Sequence, residues 1–92
     1  MEIKFEASDS KGSFFIEENG KRVGEMIIST AYPDRIIIEH TEVAEELKGK
    51  NAGKQLVAAG VDYARKNNLK VVPLCPFARK VFDRVKEYQD VL

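Results

Sequence analysis

Two apolar rhythms divide the chain, and their meeting point leaves few folds open. Up to Val43 the residues run in short β-rich stretches, EIKFEA, GSFFIEE, KRVGEMIIST and RIIIEHTEV. Stretches of this length and residue type, bounded by turn residues, form strands. From Ala52 to Asn67 the period changes: Leu56, Val57, Gly60, Val61 and Ala64 fall on one stripe of an amphipathic helix. KVVPLC, residues 70–75, then reads as a buried strand. Strand, helix and strand in this order imply a right-handed crossover into a parallel pair. Asn19-Gly20 separates the second and third stretches and marks a type I′ hairpin. AYPD, residues 31–34, supplies the next turn, so the first four strands form an antiparallel meander. Asn67 and Asn68 stop the long helix, and a second helix, Phe77 to Val85, opens at Pro76 with Phe77, Val81, Phe82 and Val85 as its apolar stripe. The expected fold class is α+β: an antiparallel β-meander, then a βαβ unit, then a C-terminal helix.

A chain of 92 residues holds one small domain with one hydrophobic core, spanning residues 1–92. Its 15 basic and 15 acidic residues cancel, so no overall field draws it to nucleic acid or an anionic membrane. Any binding of an anion has to be local. No apolar run approaches the roughly eighteen residues of a membrane span, and MEIKFEASDS lacks the features of a signal peptide. The lone cysteine, Cys75, has no intramolecular partner and suits a reducing compartment. A soluble, cytoplasmic protein is expected, and no metal site is assigned.

The one local feature that suits an anion is ELKGKNAGKQL, residues 46–56, where two glycines and three lysines precede the long helix. A helix start presents unpaired N–H groups and the positive end of the dipole. The Walker loop requires four residues between its glycines; here three separate Gly49 from Gly53, and Lys54 is followed by Gln55. The G-x-G-x-x-G dinucleotide fingerprint fails as well, because these glycines are four apart.

The segment resembles the pyrophosphate loop of the GNAT acyltransferase superfamily, in which a strand ending in Val leads through a glycine-rich turn into a helix. Val43 ends the strand, and Lys48, Gly49, Lys50, Asn51, Ala52, Gly53 and Lys54 form the turn. HTEVAEELKGKNAGKQLV, DYARKNNLKVVPLCPFARKVF and the closing EYQDVL extend the resemblance to the short, single-domain GNAT-like N-acetyltransferases. It implies acetyl-CoA or coenzyme A as cofactor, held by Val43 and residues 48–54, and an amine acceptor, small molecule or protein lysine. Two residues depart from the pattern. Asn51 stands where glycine is common and can also cap the helix, while Lys48 replaces an arginine and loses its bidentate fork.

The same resemblance brings three side chains into view as catalytic candidates. Cys75 stands at the carboxyl end of the second parallel strand, and His40, the only histidine, near the carboxyl end of the first. As parallel neighbours they are expected to approach each other, the imidazole raising the thiolate fraction of the cysteine. Glu42 is two residues from His40, so alternation puts both on one face, where the carboxylate orients the ring or takes a proton from an amine. Larger GNAT enzymes often use a tyrosine on the following helix as general acid; the matching residue here is Phe82, which has no proton to give. Two mechanisms compete, acetyl transfer through Cys75 and direct attack by the amine. Two non-enzymatic readings stand beside them: a coenzyme A binding module without turnover, and an interaction domain whose lysines meet acidic partners. Arg79 and Lys80 read as a solvated helix face, and Lys21 and Arg22 as surface. Ala7 to Gly12 is too short for the helical pair that larger relatives place between their first strands, so the acceptor side is expected to be open.

Overall fold

A computed structural model describes residues 2–31 and 33–92; Tyr32, within the expected AYPD turn, lies outside the described residues. Five strands form one sheet in chain order: β1 (Lys4–Ser8), β2 (Lys11–Glu18), β3 (Lys21–Ala31), β4 (Arg35–Val43) and β5 (Lys70–Pro73). The first four are antiparallel, and β4 pairs with β5 in parallel. The helix α1 (Ala52–Lys66) is the crossover, and α2 (Pro76–Arg84) follows β5. Between β2 and β3 both Asn19 and Gly20 have positive φ, 54° and 78°, as a type I′ turn demands.

One face of the sheet is covered and the other is not. Phe14, Met26, Ile28, Ile36 and Ile38 pack under Leu56, Val57 and Val61 of α1 and Phe82 of α2, in one continuous core. Gly60 lets the helix come down onto the sheet, since a Cβ there would lie 2.8 Å from Met26 Cε. All five residues of the predicted α1 stripe are buried. The helix ends as the two asparagines suggest: Asn68 is left-handed at φ 55°, and the amide of Leu69 donates to Ala64 O at 2.8 Å, closing a Schellman motif.

The opposite face carries a charged network around Arg22, which is on the surface as expected. Its guanidinium lies 3.8 Å from the centre of the Phe15 ring and donates to Glu25 and Glu6, both at 2.8 Å. That stacking keeps Phe15 7% exposed on a face that no helix covers.

The closing EYQDVL forms a clasp, with residues Lys86–Val91 wound as 3₁₀ turns. Arg65 donates to both oxygens of Asp90, at 3.1 and 2.8 Å, and to Glu87 O; Lys70 donates to Asp90 O and Gln89 to Phe82 O. The ends of α1 and α2 and the start of β5 are thereby tied together. The hydrogen bonds from Arg65 hold the Asp90 carboxyl below its ordinary range, outweighing burial. A depressed native pKa contributes stability above the unfolded value, near 3.9, and that contribution drains away as pH falls through the lower native value. Asp90→Asn should therefore melt slightly lower than the parent at pH 7. The gap should close as thermal melts move to pH about 2, and added salt should narrow it at neutral pH.

Candidate active site

The parallel ladder between β4 and β5 is short. It runs from Arg35 beside Lys70 to Ile38 beside Pro73, and there it stops. Ile38 O accepts the amides of both Leu74 and Cys75, each at 3.1 Å, so the chain curls round that carbonyl and no longer runs beside β4. The chain then turns away into α2, with Pro76 in the first turn, while β4 runs on alone to Val43. A gap opens on that side of β4.

What faces the gap is decided by a bulge. Ile27 pairs with His40 and Ile28 with Ile38, so Glu39 is an extra residue in β4. Directly paired residues share a face, and Thr41 is paired with Met26, Val43 with Gly24, both on the covered side. The bulge thus brings Thr41 and Val43 under α1 and sends His40 and Glu42 to the open face. There His40 Nε2 and Glu42 Oε1 are 3.2 Å apart, the two side chains 56% and 76% exposed. Alternation anticipated the pairing of His40 with Glu42, but the approach of His40 to Cys75 expected of parallel neighbours is corrected: Thr41 takes that place, its Oγ1 3.6 Å from Cys75 Sγ.

The gap is a cleft of about 360 Å³. Thr41 and Val43 form one wall, Phe77 of α2 another, and the loop from Leu47 through Lys54 its floor and mouth. Val43 and all the loop residues named from sequence except Lys50 line it. A 3₁₀ turn, Glu45–Leu47, leads into the loop and buries Leu47 as its anchor. Gly49, at φ 84°, turns the backbone. Asn51 is the N-terminal cap position of α1 in left-handed geometry, φ 61°, a conformation asparagine tolerates, and its side chain makes no capping hydrogen bond. The side-chain cap expected of Asn51 is therefore absent, and the residue lines the cleft. No acidic residue occupies the first turn of α1, where Lys54 adds charge to the dipole. Lys48 Nζ meets Glu45 at 3.1 Å.

Phe77 is the second correction. It does not join the core stripe of α2, whose buried residues are Ala78, Val81 and Phe82; it is 39% exposed beside the loop. A Cβ on Gly53 would lie 2.6 and 2.8 Å from its ring atoms, so Gly53 is needed for the ring to rest on the start of α1. Arg79 faces Asp83 at 3.9 Å, in keeping with a solvated helix surface.

Cys75 is 6% exposed, at the cap position of α2. Burial works against its ionisation, but the backbone amide of Ala78, the Thr41 hydroxyl and the amide of Phe77 together more than offset it, and the thiol titrates below its ordinary value. The sequence signals for Thr41 and Phe77 were weak, since one sits behind an unpredicted bulge and the other looks like core.

These features define a class: α+β domains that open a cleft where two parallel strands part, beside a glycine-containing turn and an uncapped helix start suited to phosphate groups. The family follows from comparison. A model of the GCN5-related N-acetyl-transferase family matches residues 13–91, and the chain belongs to that family. No curated protein matches it by sequence. A GCN5-like protein of Staphylococcus aureus, solved by NMR, is 37% identical over 98% of this chain and 85% of its own, with a TM-score of 0.72. A ribosomal-protein-alanine N-acetyltransferase from Brucella melitensis is 20% identical with a TM-score of 0.71, and a GNAT family acetyltransferase from Elizabethkingia anophelis with acetyl-CoA bound is 20% identical with 0.61. The matches cover 85% and 70% of this chain; it spans 62% of the Brucella protein and 42% of the Elizabethkingia one. At that identity the likeness is one of fold.

Gly53→Ala should cost about 1–3 kcal/mol through overpacking against Phe77. Removing the ring as well, in Gly53→Ala/Phe77→Ala, should abolish that specific penalty, giving a favourable coupling energy in a denaturation double-mutant cycle. Simple additivity would show that the contact is absent.

Proposed function

We propose that this single domain binds acetyl-CoA in the cleft at the end of β4 and transfers its acetyl group to an amine. The observation that carries the reading is a single cleft lined both by the loop, residues 48, 49 and 51–54, and by Thr41, whose hydroxyl lies 3.6 Å from the sulfur of the nearly buried Cys75 behind it. The pyrophosphate would rest on the first-turn amides of α1, on Lys48 and Lys54 and on the Asn51 side chain; Lys50, outside the cleft lining, would meet phosphate at its rim. The thioester would lie toward Thr41 and Cys75.

In the covalent route the Cys75 thiolate attacks the acetyl carbonyl carbon. A carbon–sulfur bond to Cys75 forms, the bond to coenzyme A breaks, and coenzyme A leaves with the electron pair. The amine then attacks the acetylated cysteine, its carbon–nitrogen bond replaces the carbon–sulfur bond, and the ammonium proton passes to a base. In the direct route the amine attacks the thioester itself. His40 and Glu42 are available as that base to an amine arriving from the open face, which no helix covers and which suits a small amine or a lysine on a protein. A coenzyme A binding module without turnover is the second reading, favoured by Phe82: the position that holds a general-acid tyrosine in larger GNAT enzymes is a fully buried phenylalanine. Release of coenzyme A over time with candidate amines separates it from an enzyme.

Titration with acetyl-CoA followed by amide NMR should shift residues 43–54 and Cys75; shifts confined elsewhere would end this reading. Mass spectrometry after incubation with acetyl-CoA should find acetyl on Cys75, and Cys75→Ala should lower turnover by about 10²-fold or more if the covalent route operates. Transfer that survives Cys75→Ala with no acetyl-cysteine would leave the direct route.

A further inference from the structure

We infer that Thr41 is a positioning residue that couples the Cys75 thiol to occupancy of the cleft, its hydroxyl serving the sulfur when the cleft is empty and a ligand when it is filled. The inference rests on the reading of the cleft as a cofactor site. Cys75 does not itself line the cleft and is nearly buried, whereas Thr41, 3.6 Å from its sulfur, does line it. On this side the neighbouring walls, Val43 and Phe77, are apolar, so the hydroxyl is the polar group through which the cleft reaches the thiol.

The chemistry of a hydroxyl suits this position. Its oxygen accepts from the S–H of the neutral thiol, and its rotating O–H donates to the thiolate, so the pair is matched in both protonation states. The other groups that favour the thiolate are backbone amides, those of Ala78 and Phe77 in the first turn of α2 and that of Thr41 itself, which every Thr41 variant keeps; no charged side chain is among the groups that shift it. The hydroxyl has one hydrogen to give. A ligand oxygen that takes it withdraws it from the sulfur, so binding and thiol ionisation are linked, and the linkage is reciprocal. The extra residue Glu39 is what makes this possible, since without it Thr41 would face the open side of the sheet.

The test uses the full chain labelled with ¹³C at cysteine Cβ, where Cys75 gives a single resonance whose shift reports ionisation. Thr41→Val keeps the side-chain shape and removes the hydroxyl; Thr41→Ser restores it. Thr41→Val should hold about tenfold less thiolate at any pH below the midpoint, the effect of one hydrogen bond to a charged sulfur. Thr41→Ser should return close to the parent curve. Saturation with coenzyme A should move the titration of the parent and leave that of Thr41→Val in place. A Thr41→Val curve that coincides with the parent, or a Thr41→Ser curve that follows Thr41→Val, overturns the inference. If the curves separate as expected but acetyl-CoA never acetylates Cys75, the coupling stands and the covalent route fails, so the two ideas are judged apart.

Discussion

The cleft depends on a mismatch between two neighbouring strands. β5 leaves the ladder after Pro73, where Leu74 and Cys75 both donate to Ile38 O and the chain turns into α2, while β4 continues to Val43. Had both strands stopped together, α1 and α2 would meet over a closed edge. Instead β4 presents five unaccompanied residues beyond Ile38 on its β5 side, and the loop into α1 turns back along them. A backbone edge without a strand partner is ordinarily a hazard; in this protein α1, α2 and the loop enclose it and make it a site.

Electrostatically the cleft is local by design. A chain with 15 positive and 15 negative residues has no long-range pull on an anion, so recognition has to come from groups at contact distance. On the proposed reading the uncapped start of α1 and the lysines around it would provide that over a few ångströms, while many other charges lie in pairs such as Lys11 with Glu39 and Arg65 with Asp90. The open face follows the same rule: Arg22 is held between Glu6 and Glu25 and spends its planar surface on Phe15.

Much of this was legible in the order of residues. Asn19-Gly20 dictates a hairpin through backbone sterics alone, the shift from period two to the helical period locates the crossover, and Gly49 to Lys54 mark the start of α1 beside the cleft. These are local rules, and for the hairpin, the crossover and the helix start they survive folding. The bulge at Glu39 is different, because one inserted residue reverses the facing of everything after it, and nothing in RIIIEHTEV announces the insertion. That single shift exchanged His40 for Thr41 beside the cysteine. Phe77 escaped for a related reason: helical spacing cannot tell a core stripe from a ring that stops short of the core and rests on a glycine of another helix. The surface position of Arg22 was legible, but its stacking was not, because the partner ring lies in a neighbouring strand.

The chain-order arrangement of the strands also has a kinetic meaning. Each antiparallel pair joins neighbours in sequence across a short turn, so the meander assembles from contacts that cost little loop entropy. The β4–β5 pair can close only after α1 has been laid across the sheet, and it is held by four residue pairs. The cleft therefore lies on the seam of greatest sequence separation and fewest rungs, where sub-global opening is easiest and where the proposed cofactor, if present only in the closed form, would add most to the lifetime of the native state.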